Sequence, residues 1–273
     1  MAYIIVTTAL FVALVIIRIA IGNTSGMAKI DFGSYQTAGN RQVNADMVDW
    51  AYYDDQLLLV VADGIGAGDK AVTAAEVAVR IITRLFEHSG VGGNPAYYFM
   101  NSFKSANSTV LRYIPDSTAG ASLLGVVFKD NRLYYALAGN CKVSVFRKRK
   151  LFDLSEGHTF DVLARRAFQR KEISRVDAKE AVKQSRLYNF VGKDGFQDLE
   201  MFDTPVLLKK GDIVLLMTDG VYDFYDIGTV EKILSKRWTS SKNHARQIIE
   251  ALDKENDPDQ DNASIIVAKI NAL

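Results

Sequence analysis

Three aspartates lie where apolar segments end, and this shared setting is the first chemical signal in the sequence. Asp63 and Asp219 each follow an apolar run directly and precede a glycine, and Asp261 comes just before the apolar run 264–270. Strands packed in one core can bring such ends together, whatever their separation along the chain. A carboxylate cluster near neutral pH is stabilised by hard cations, and oxygen-only ligation suits Mg²⁺ or Mn²⁺. Taken singly, each Asp-Gly pair is better explained as a turn.

The elements that would position these carboxylates show both strand and helix patterns. Continuous apolar runs at 57–62 and 212–218 predict strands buried on both faces, and 264–270 predicts a closing strand. Periodicity predicts further strands at 122–128, 133–138 and 142–146, and helices at 74–85, 99–114, 230–238 and 244–254. Two helices after an early strand, then consecutive strands, then more helices, predict an α+β fold with antiparallel strands.

Composition narrows the class of protein. The 273 residues carry 33 Lys+Arg and 32 Asp+Glu, a net charge of +1, which argues against a nucleic-acid partner because such proteins show a basic excess. Apolar residues make up 48% and charged residues 24%, as in folded globular proteins. Cys141 is the single cysteine, which excludes an internal disulfide and a zinc site built from cysteines.

The N-terminal segment predicts a membrane anchor. Residues 2–22 contain one charged side chain, Arg18, and can cross a hydrocarbon core of about 30 Å as one helix. No Lys or Arg precedes the run, which favours an uncleaved anchor over the alternatives of a signal peptide and a buried helix. Arg18 lies near the C-terminal end of the run and Lys29 follows it, so the positive-inside tendency predicts a single-pass protein of the cell membrane with a cytoplasmic domain. We divide the chain into an anchor at 1–22, a linker at 23–30 and a globular domain at 31–273.

Several segments around the aspartates occur in an ordered series. The three strongest are VVADGIGAG at 60–68, LLMTDGVYD at 215–223 and DQDNASIIVAKI at 259–270. Weaker ones are NRQVNAD at 40–46, TAGASLL at 118–124, YALAGNCK at 135–142, LSEGH at 154–158 and LYNFVG at 187–192. Together they resemble the motifs of the metal-dependent protein phosphatases, the protein phosphatase 2C family, over about 31–270. The ordered series is far more specific than any single motif.

This resemblance implies a central antiparallel β-sandwich flanked by helix pairs, with two Mn²⁺ or Mg²⁺ ions bound at one end. It implies that Asp63 bridges both ions and that Gly64 offers its carbonyl to one of them. Asp219 and Asp261 would hold the other ion. Asp223 would help to hold a weak third ion.

The resemblance also implies a reaction. Two divalent ions can activate a water for in-line attack on phosphorus, Asp46 would position that water, and Arg41 would bind the phosphate oxygens. The implied activity is hydrolysis of phosphoserine and phosphothreonine in phosphorylated proteins, in opposition to a serine/threonine kinase. The alternative is a catalytically weak or inactive domain of the same fold that binds phosphoproteins or acts as a scaffold.

Two residues depart from the family pattern. Ala45 replaces a Glu or Gln that orders metal-bound waters in the family, and Asn140 replaces an Asp that helps to bind the third metal. A weaker water shell and a weaker third site are expected. The aspartates that the reaction needs are all present, which favours an active enzyme: Asp46, Asp63, Asp219 and Asp261.

A basic run, Arg147-Lys148-Arg149-Lys150, lies at a predicted hairpin tip. It has two interpretations. It is either a solvated turn or, because the domain is predicted to be tethered to a membrane, a contact with acidic lipid headgroups.

Overall fold

The structure is a computed structural model that describes residues 29–181, 186–196, 198–236, 238–255 and 257–272. The strands are β1 (Ile30–Thr37), β2 (Met47–Tyr53), β3 (Gln56–Ile65), β4 (Gly120–Lys129), β5 (Arg132–Ala138), β6 (Lys142–Arg147), β7 (Lys150–Asp153), β8 (Glu200–Met201), β9 (Val206–Leu207), β10 (Ile213–Met217) and β11 (Ala263–Ile270). The helices are α1 (Asp69–Ser89), α2 (Pro95–Tyr113), α3 (Phe160–Gln169), α4 (Arg175–Ala181), α5 (Asp219–Tyr222), α6 (Ile227–Leu234) and α7 (Ser241–Glu255).

The strands form two antiparallel sheets that pack face to face. The first sheet has the order β1-β11-β10-β6-β7. The second has the order β2-β3-β4-β5-β8, with β9 also paired to β5. Helices α1 and α2 cover the outer face of the second sheet, and α6 and α7 cover the outer face of the first. The prediction of an α+β fold, an antiparallel sandwich between helix pairs, is confirmed.

Strand β3 shows why a continuous apolar run forms a strand here. Leu57, Leu59 and Val61 pack between the two sheets, whereas Leu58 and Val60 pack against the helices. Successive side chains of a strand point to opposite faces, and both faces of this sheet are covered, so every position in the run is buried. Strand β10 follows the same rule: Leu216 packs between the sheets and its neighbour Leu215 packs against the helices.

Two sequence-based details were wrong. Leu85 was expected on the buried face of the first helix but is 40% exposed; the buried face instead follows Ala74, Ala78, Ile82 and Phe86, since small alanines let the helix approach the sheet closely. The helix predicted at 230–238 ends at Leu234, before a polar segment, and leaves Trp238 fully exposed.

The edge strands β1 and β2 were not predicted. Each is interrupted by polar residues because a strand at the edge of a sheet keeps part of its surface in water. The predicted anchor at 1–22 and nearly all of the predicted linker lie outside the described residues. Among the residues that are described, no helix is both long enough and apolar enough to cross a membrane.

Candidate metal centre

The ends of three core strands bring the predicted aspartates to one cavity. Asp63 lies in the last part of β3, Asp219 is the first residue of α5 and is separated from β10 by Thr218, and Asp261 lies just before β11. Strands β10 and β11 are neighbours in one sheet, and β3 belongs to the other. All three aspartates line a cavity of about 880 Å³ at this end of the sandwich, together with Arg41 and Gly64. The expectation that these strand ends converge is confirmed.

The glycines of the two Asp-Gly pairs permit close backbone packing. A Cβ on Gly220 would lie 2.0 Å from the carbonyl oxygen of Asn262, and one on Gly64 would lie 2.5 Å from the carbonyl oxygen of Ala71. No side chain fits at either position. The glycines therefore hold the aspartates against neighbouring backbone, as well as shaping the turns.

The carboxylates raise one another's pKa values. Burial, followed by the charge of Asp219, raises the pKa of Asp63 well above its usual range. Burial also raises the pKa of Asp219, against the opposing effect of a hydrogen bond from Asn140. Burial, with the charges of Asp219 and Asp261, raises the pKa of Asp46 to about 7. Nearby positive charge would relieve this clustering of acidic groups.

Asp46 is buried beneath this cluster and half of its carboxylate lacks a partner. Thr218 Oγ1 donates to Asp46 Oδ2 over 2.9 Å. Asp46 Oδ1 and the nearby Asn140 Oδ1 are buried without a hydrogen-bond partner among the described residues. Buried oxygen atoms are costly unless they are satisfied, and orphaned oxygens among clustered carboxylates fit hard divalent cations or their bound waters. The donor set therefore fits Mg²⁺ or Mn²⁺.

Asp261 is paired with the very residue that was predicted to bind phosphate. Arg41 Nε donates to Asp261 Oδ1 over 2.9 Å and Arg41 Nη2 donates to Asp261 Oδ2 over 2.8 Å, a two-pronged pair between half-exposed side chains. Across the described ranges, no three Asp, Glu, His or Cys side chains surround one point in a geometry that could hold a metal ion. In this conformation Arg41 thus occupies the carboxylate that the cation site would need.

Asn140 orients Asp219 through its amide group. Its Nδ2 donates to Asp219 Oδ2 over 2.9 Å, and its backbone carbonyl oxygen accepts a hydrogen bond from the Tyr222 hydroxyl over 2.8 Å. An Asp at this position could not donate that hydrogen bond when ionised. The departure from the family pattern at position 140 therefore replaces a negative charge with a donor that orients a predicted ligand.

The structure also shows positioning residues that the sequence did not reveal. Asn262 accepts a hydrogen bond from Ala45 N and donates to the carbonyls of Ala38 and Val43, so it orders the loop that carries Arg41 and Asp46. The available signal was its place directly after Asp261.

On the far side of the Asn140 turn, Ser122 Oγ accepts hydrogen bonds from the backbone N–H groups of Asn140 and Cys141. His158 Nδ1 accepts one from Gly139 N, which gives this buried histidine a structural role. These contacts fix the turn that presents Asn140 to Asp219.

A second arginine, Arg186, lines the cavity that contains the aspartates and Arg41. Three apolar residues also line this cavity: Phe160, Leu187 and Phe190. The predicted third-metal ligand, Asp223, follows α5 one turn after Asp219 and lines a separate cavity of about 360 Å³ between α6 and α7. Asp223 is thus near the cluster but is not part of the main cavity wall.

Sequence comparison assigns the chain to a family. The protein phosphatase 2C family profile matches residues 35–261. The chain therefore belongs to the protein phosphatase 2C family, and the predicted enzyme class, a protein serine/threonine phosphatase, is confirmed.

The named relatives and solved structures that this chain resembles are serine/threonine phosphatases, at low sequence identity. The chain is 23% identical over 197 residues to the serine/threonine phosphatase Stp of Listeria monocytogenes, covering 69% of this chain and 76% of Stp. The solved S. agalactiae serine/threonine phosphatase is 14% identical, with a TM-score of 0.77 over 89% of this chain and 100% of that one. The catalytic domain of the phosphatase PstP, solved in complex with two manganese ions, is 23% identical, with a TM-score of 0.66 over 89% and 99% of the two chains.

Replacing Arg41 by Ala should tighten Mn²⁺ binding, measured by calorimetry. The ion would no longer compete with Arg41 for Asp261, and breaking an exposed pair of this kind is worth about 0.2–1 kcal/mol, or about 1.4–5-fold in affinity. Arg41→Lys keeps the charge but loses the two-pronged geometry, so its effect should be smaller. Arg186→Ala removes the same charge from the opposite wall and should change affinity least. Unchanged or weaker binding by Arg41→Ala would contradict the competition.

Replacing Asn140 by Asp should lower the melting temperature in chelator and enlarge the stabilisation by Mn²⁺. The hydrogen bond to Asp219 is lost and a repulsive charge is added, a cost of about 1–3 kcal/mol, or about 2–12 °C, which a cation between the two carboxylates would offset. Asn131→Asp makes the same change in the exposed β4–β5 turn, at the end of the sandwich opposite the aspartates. This control should neither lower the melting temperature in chelator nor enlarge the stabilisation by Mn²⁺. Equal behaviour of the two variants in thermal unfolding would show that position 140 does not act on the cluster.

Proposed function

We propose that this chain is a metal-dependent phosphatase that hydrolyses phosphoserine and phosphothreonine in proteins. The observation that carries the proposal is the convergence of Asp63, Asp219 and the Arg41–Asp261 pair on one cavity, with Asp46 buried close to them. Family membership supports the reaction type, and the manganese-bound PstP domain supports the choice of cation. Phosphorylated proteins are then the substrates, and a serine/threonine kinase is the opposing enzyme.

Each residue of the cluster has a defined task in this proposal. Asp63, Asp219 and Asp261 would hold two Mn²⁺ or Mg²⁺ ions, with the carbonyl of Gly64 as a further ligand. Bound divalent cations supply Lewis acidity and lower the pKa of a coordinated water. Asp46, anchored by Thr218, has Oδ1 free to accept a hydrogen bond from the attacking water and to orient it.

Arg41 and Arg186 are suited to binding the phosphate group. A guanidinium group binds phosphate oxygens through two parallel hydrogen bonds, and Arg41 already presents that fork to Asp261. Release of Asp261 would free the Arg41 fork for a phosphate. Cys141 has no part as a nucleophile, because burial raises the pKa of its thiol well above the usual range and its sulfur faces Ser122 inside the core.

We also propose that residues 1–22 anchor the domain to the cell membrane, with the phosphatase domain in the cytoplasm. The apolar run with one charged residue supports the anchor, and Arg18 and Lys29 support the orientation. The protein kinases that would generate its substrates use cytoplasmic ATP, which is consistent with that orientation.

The full chain should hydrolyse a phosphothreonine peptide when Mn²⁺ is present and stop when a chelator is added. Asp219→Asn should lose more activity than the 10–100-fold typical of residues that support a metal ligand, because it removes a ligand itself. The matched control, Asp203→Asn, removes an exposed carboxylate remote from the cavity and should keep full activity. Full activity in excess chelator would refute the metal dependence, and an inactive but phosphopeptide-binding chain would support the scaffold alternative.

The full chain should remain in the membrane fraction after carbonate extraction, and a variant lacking residues 1–28 should be released. Carbonate strips proteins held only by surface charge, so retention reports the apolar segment alone. Protease added to spheroplasts should leave the domain intact. Release of the full chain, or digestion of the domain from outside, would overturn the anchor or its orientation.

A further inference from the structure

The end of the sandwich opposite the carboxylates collects positive charge. There, β1 begins beside the last residues of β11, with Ile30 paired to Ile270, and the start of β10 is paired to β6 through Ile213 and Phe146. In the other sheet, the β4–β5 turn closes at the same end, and a cavity of about 460 Å³ joins the two sheet ends. Lys29, Lys129 and Arg132 line that cavity.

Arg147 joins two basic loops at this end into one surface. It donates to both carboxylate oxygens of Asp212, over 2.9 and 2.6 Å, and to the carbonyl of Leu207 over 2.9 Å. The β6–β7 turn, with Lys148 and Arg149, is thereby fixed beside the β9–β10 loop, with Lys209 and Lys210.

The cations on this surface outnumber the carboxylates. The side chains of six basic residues there form neither an ion pair nor a hydrogen bond with any described residue: Lys29, Arg132, Lys148, Arg149, Lys209 and Lys210. Lys129 forms no ion pair either but donates to the carbonyl of Gly92. Three exposed carboxylates share the end face, namely Asp54, Asp55 and Asp130. Arg147 is neutralised by Asp212, and Lys150 by Glu231. We call the six unpaired cations the basic end face.

The two charged residues at the tip of the β6–β7 hairpin hold an unfavourable backbone conformation. Lys148 and Arg149 have φ values of 52° and 66°, the left-handed region that favours Asn and Gly in two-residue hairpin turns. The equivalent turn between β4 and β5 uses Asp130 and Asn131, with φ values of 49° and 59°, residue types that tolerate this region. Strained backbone that carries exposed charge points to a function for the charge.

The position where the chain enters the fold indicates what this surface would meet. Lys29 begins the described domain at this same end, and the apolar run 2–22 ends only a few residues before it. A chain held in a bilayer by that run would place this end of the domain next to the headgroups. The carboxylate cluster would then lie about 20 Å farther away, since Asp63 is seven residues along β3 from Gln56 and a strand rises about 3.3 Å per residue.

We propose that the basic end face is a docking surface for anionic phospholipid headgroups, which holds the domain on the membrane with its active site directed away from the bilayer. A basic residue near an anionic membrane surface contributes about fivefold in affinity, so six of them suffice for measurable binding. This proposal goes beyond the phosphatase activity and does not depend on it.

The test uses residues 29–273, which contain every described strand and helix. Its boundaries follow the fold, since the S. agalactiae phosphatase matches 89% of this chain over 100% of its own length. A cooperative thermal unfolding transition of the fragment is the check that it is folded. The fragment should sediment with vesicles of phosphatidylcholine and phosphatidylglycerol but not with phosphatidylcholine alone. Binding should fall steeply in 1 M salt, where the screening length is about 3 Å, and should persist with added inorganic phosphate.

A variant with Lys148→Asn, Arg149→Gly, Lys209→Gln and Lys210→Gln should bind these vesicles several hundred-fold more weakly. It should melt at the same or a higher temperature, because Asn-Gly suits the hairpin, and should keep its activity on a soluble peptide. A control with four exposed charges removed from helices elsewhere, Arg84, Lys104, Arg112 and Lys254 each to Gln, should bind like the unmodified fragment.

Three results would overturn the proposal. The first is equal binding to neutral and anionic vesicles. The second is equal losses in the two four-charge variants. The third is binding to single-stranded RNA that is as tight as binding to vesicles. Because the fragment lacks residues 1–28, none of these outcomes depends on whether the anchor exists.

Discussion

Repulsion among the carboxylates at one end of the sandwich is the constraint that the surrounding structure has to satisfy. Like charges in a desolvated pocket disfavour one another, and the raised pKa values of Asp46, Asp63 and Asp219 express that cost. The protein meets it locally by placing one neutral or positive donor on each of three aspartates: Thr218 on Asp46, Asn140 on Asp219 and Arg41 on Asp261. Bound divalent cations would meet it more completely.

The Arg41–Asp261 pair follows from the same constraint. Among the described residues, Arg41 is the cation that forms an ion pair with Asp261, and its flexible, forked guanidinium group matches both carboxylate oxygens. The pair is half-exposed and therefore weak, so a divalent cation or a phosphate can displace either member at small cost. In the absence of ligands, the Arg41 guanidinium and the Asp261 carboxylate neutralise each other. A cation that binds Asp261 and a phosphate that binds Arg41 would together separate the pair.

The sequence predicted the parts of this fold that the core dictates. The runs that became β3, β10 and β11 are apolar at nearly every position because both sheet faces are covered. The ends of these runs placed Asp63, Asp219 and Asp261 together, and all three line one cavity. Edge strands β1 and β2 were missed because half-exposed strands lack that pattern. The pairing of Arg41 with Asp261 and the loop-ordering role of Asn262 could not be predicted, because they depend on contacts between residues more than 200 positions apart.

An antiparallel sandwich keeps its two ends chemically independent, and this chain uses both. About 20 Å of rigid core strand separates the carboxylate cluster from the basic end face, a distance at which charges exposed to water are largely screened. The hairpin turns at the basic end are short, and none of their residues lines the cavity that contains the aspartates. These turn residues can therefore change without moving Asp63 or Asp219. Acidic groups that need cations and basic groups suited to anionic headgroups therefore coexist in one small domain because the length of β3 and β10 keeps them from neutralising each other.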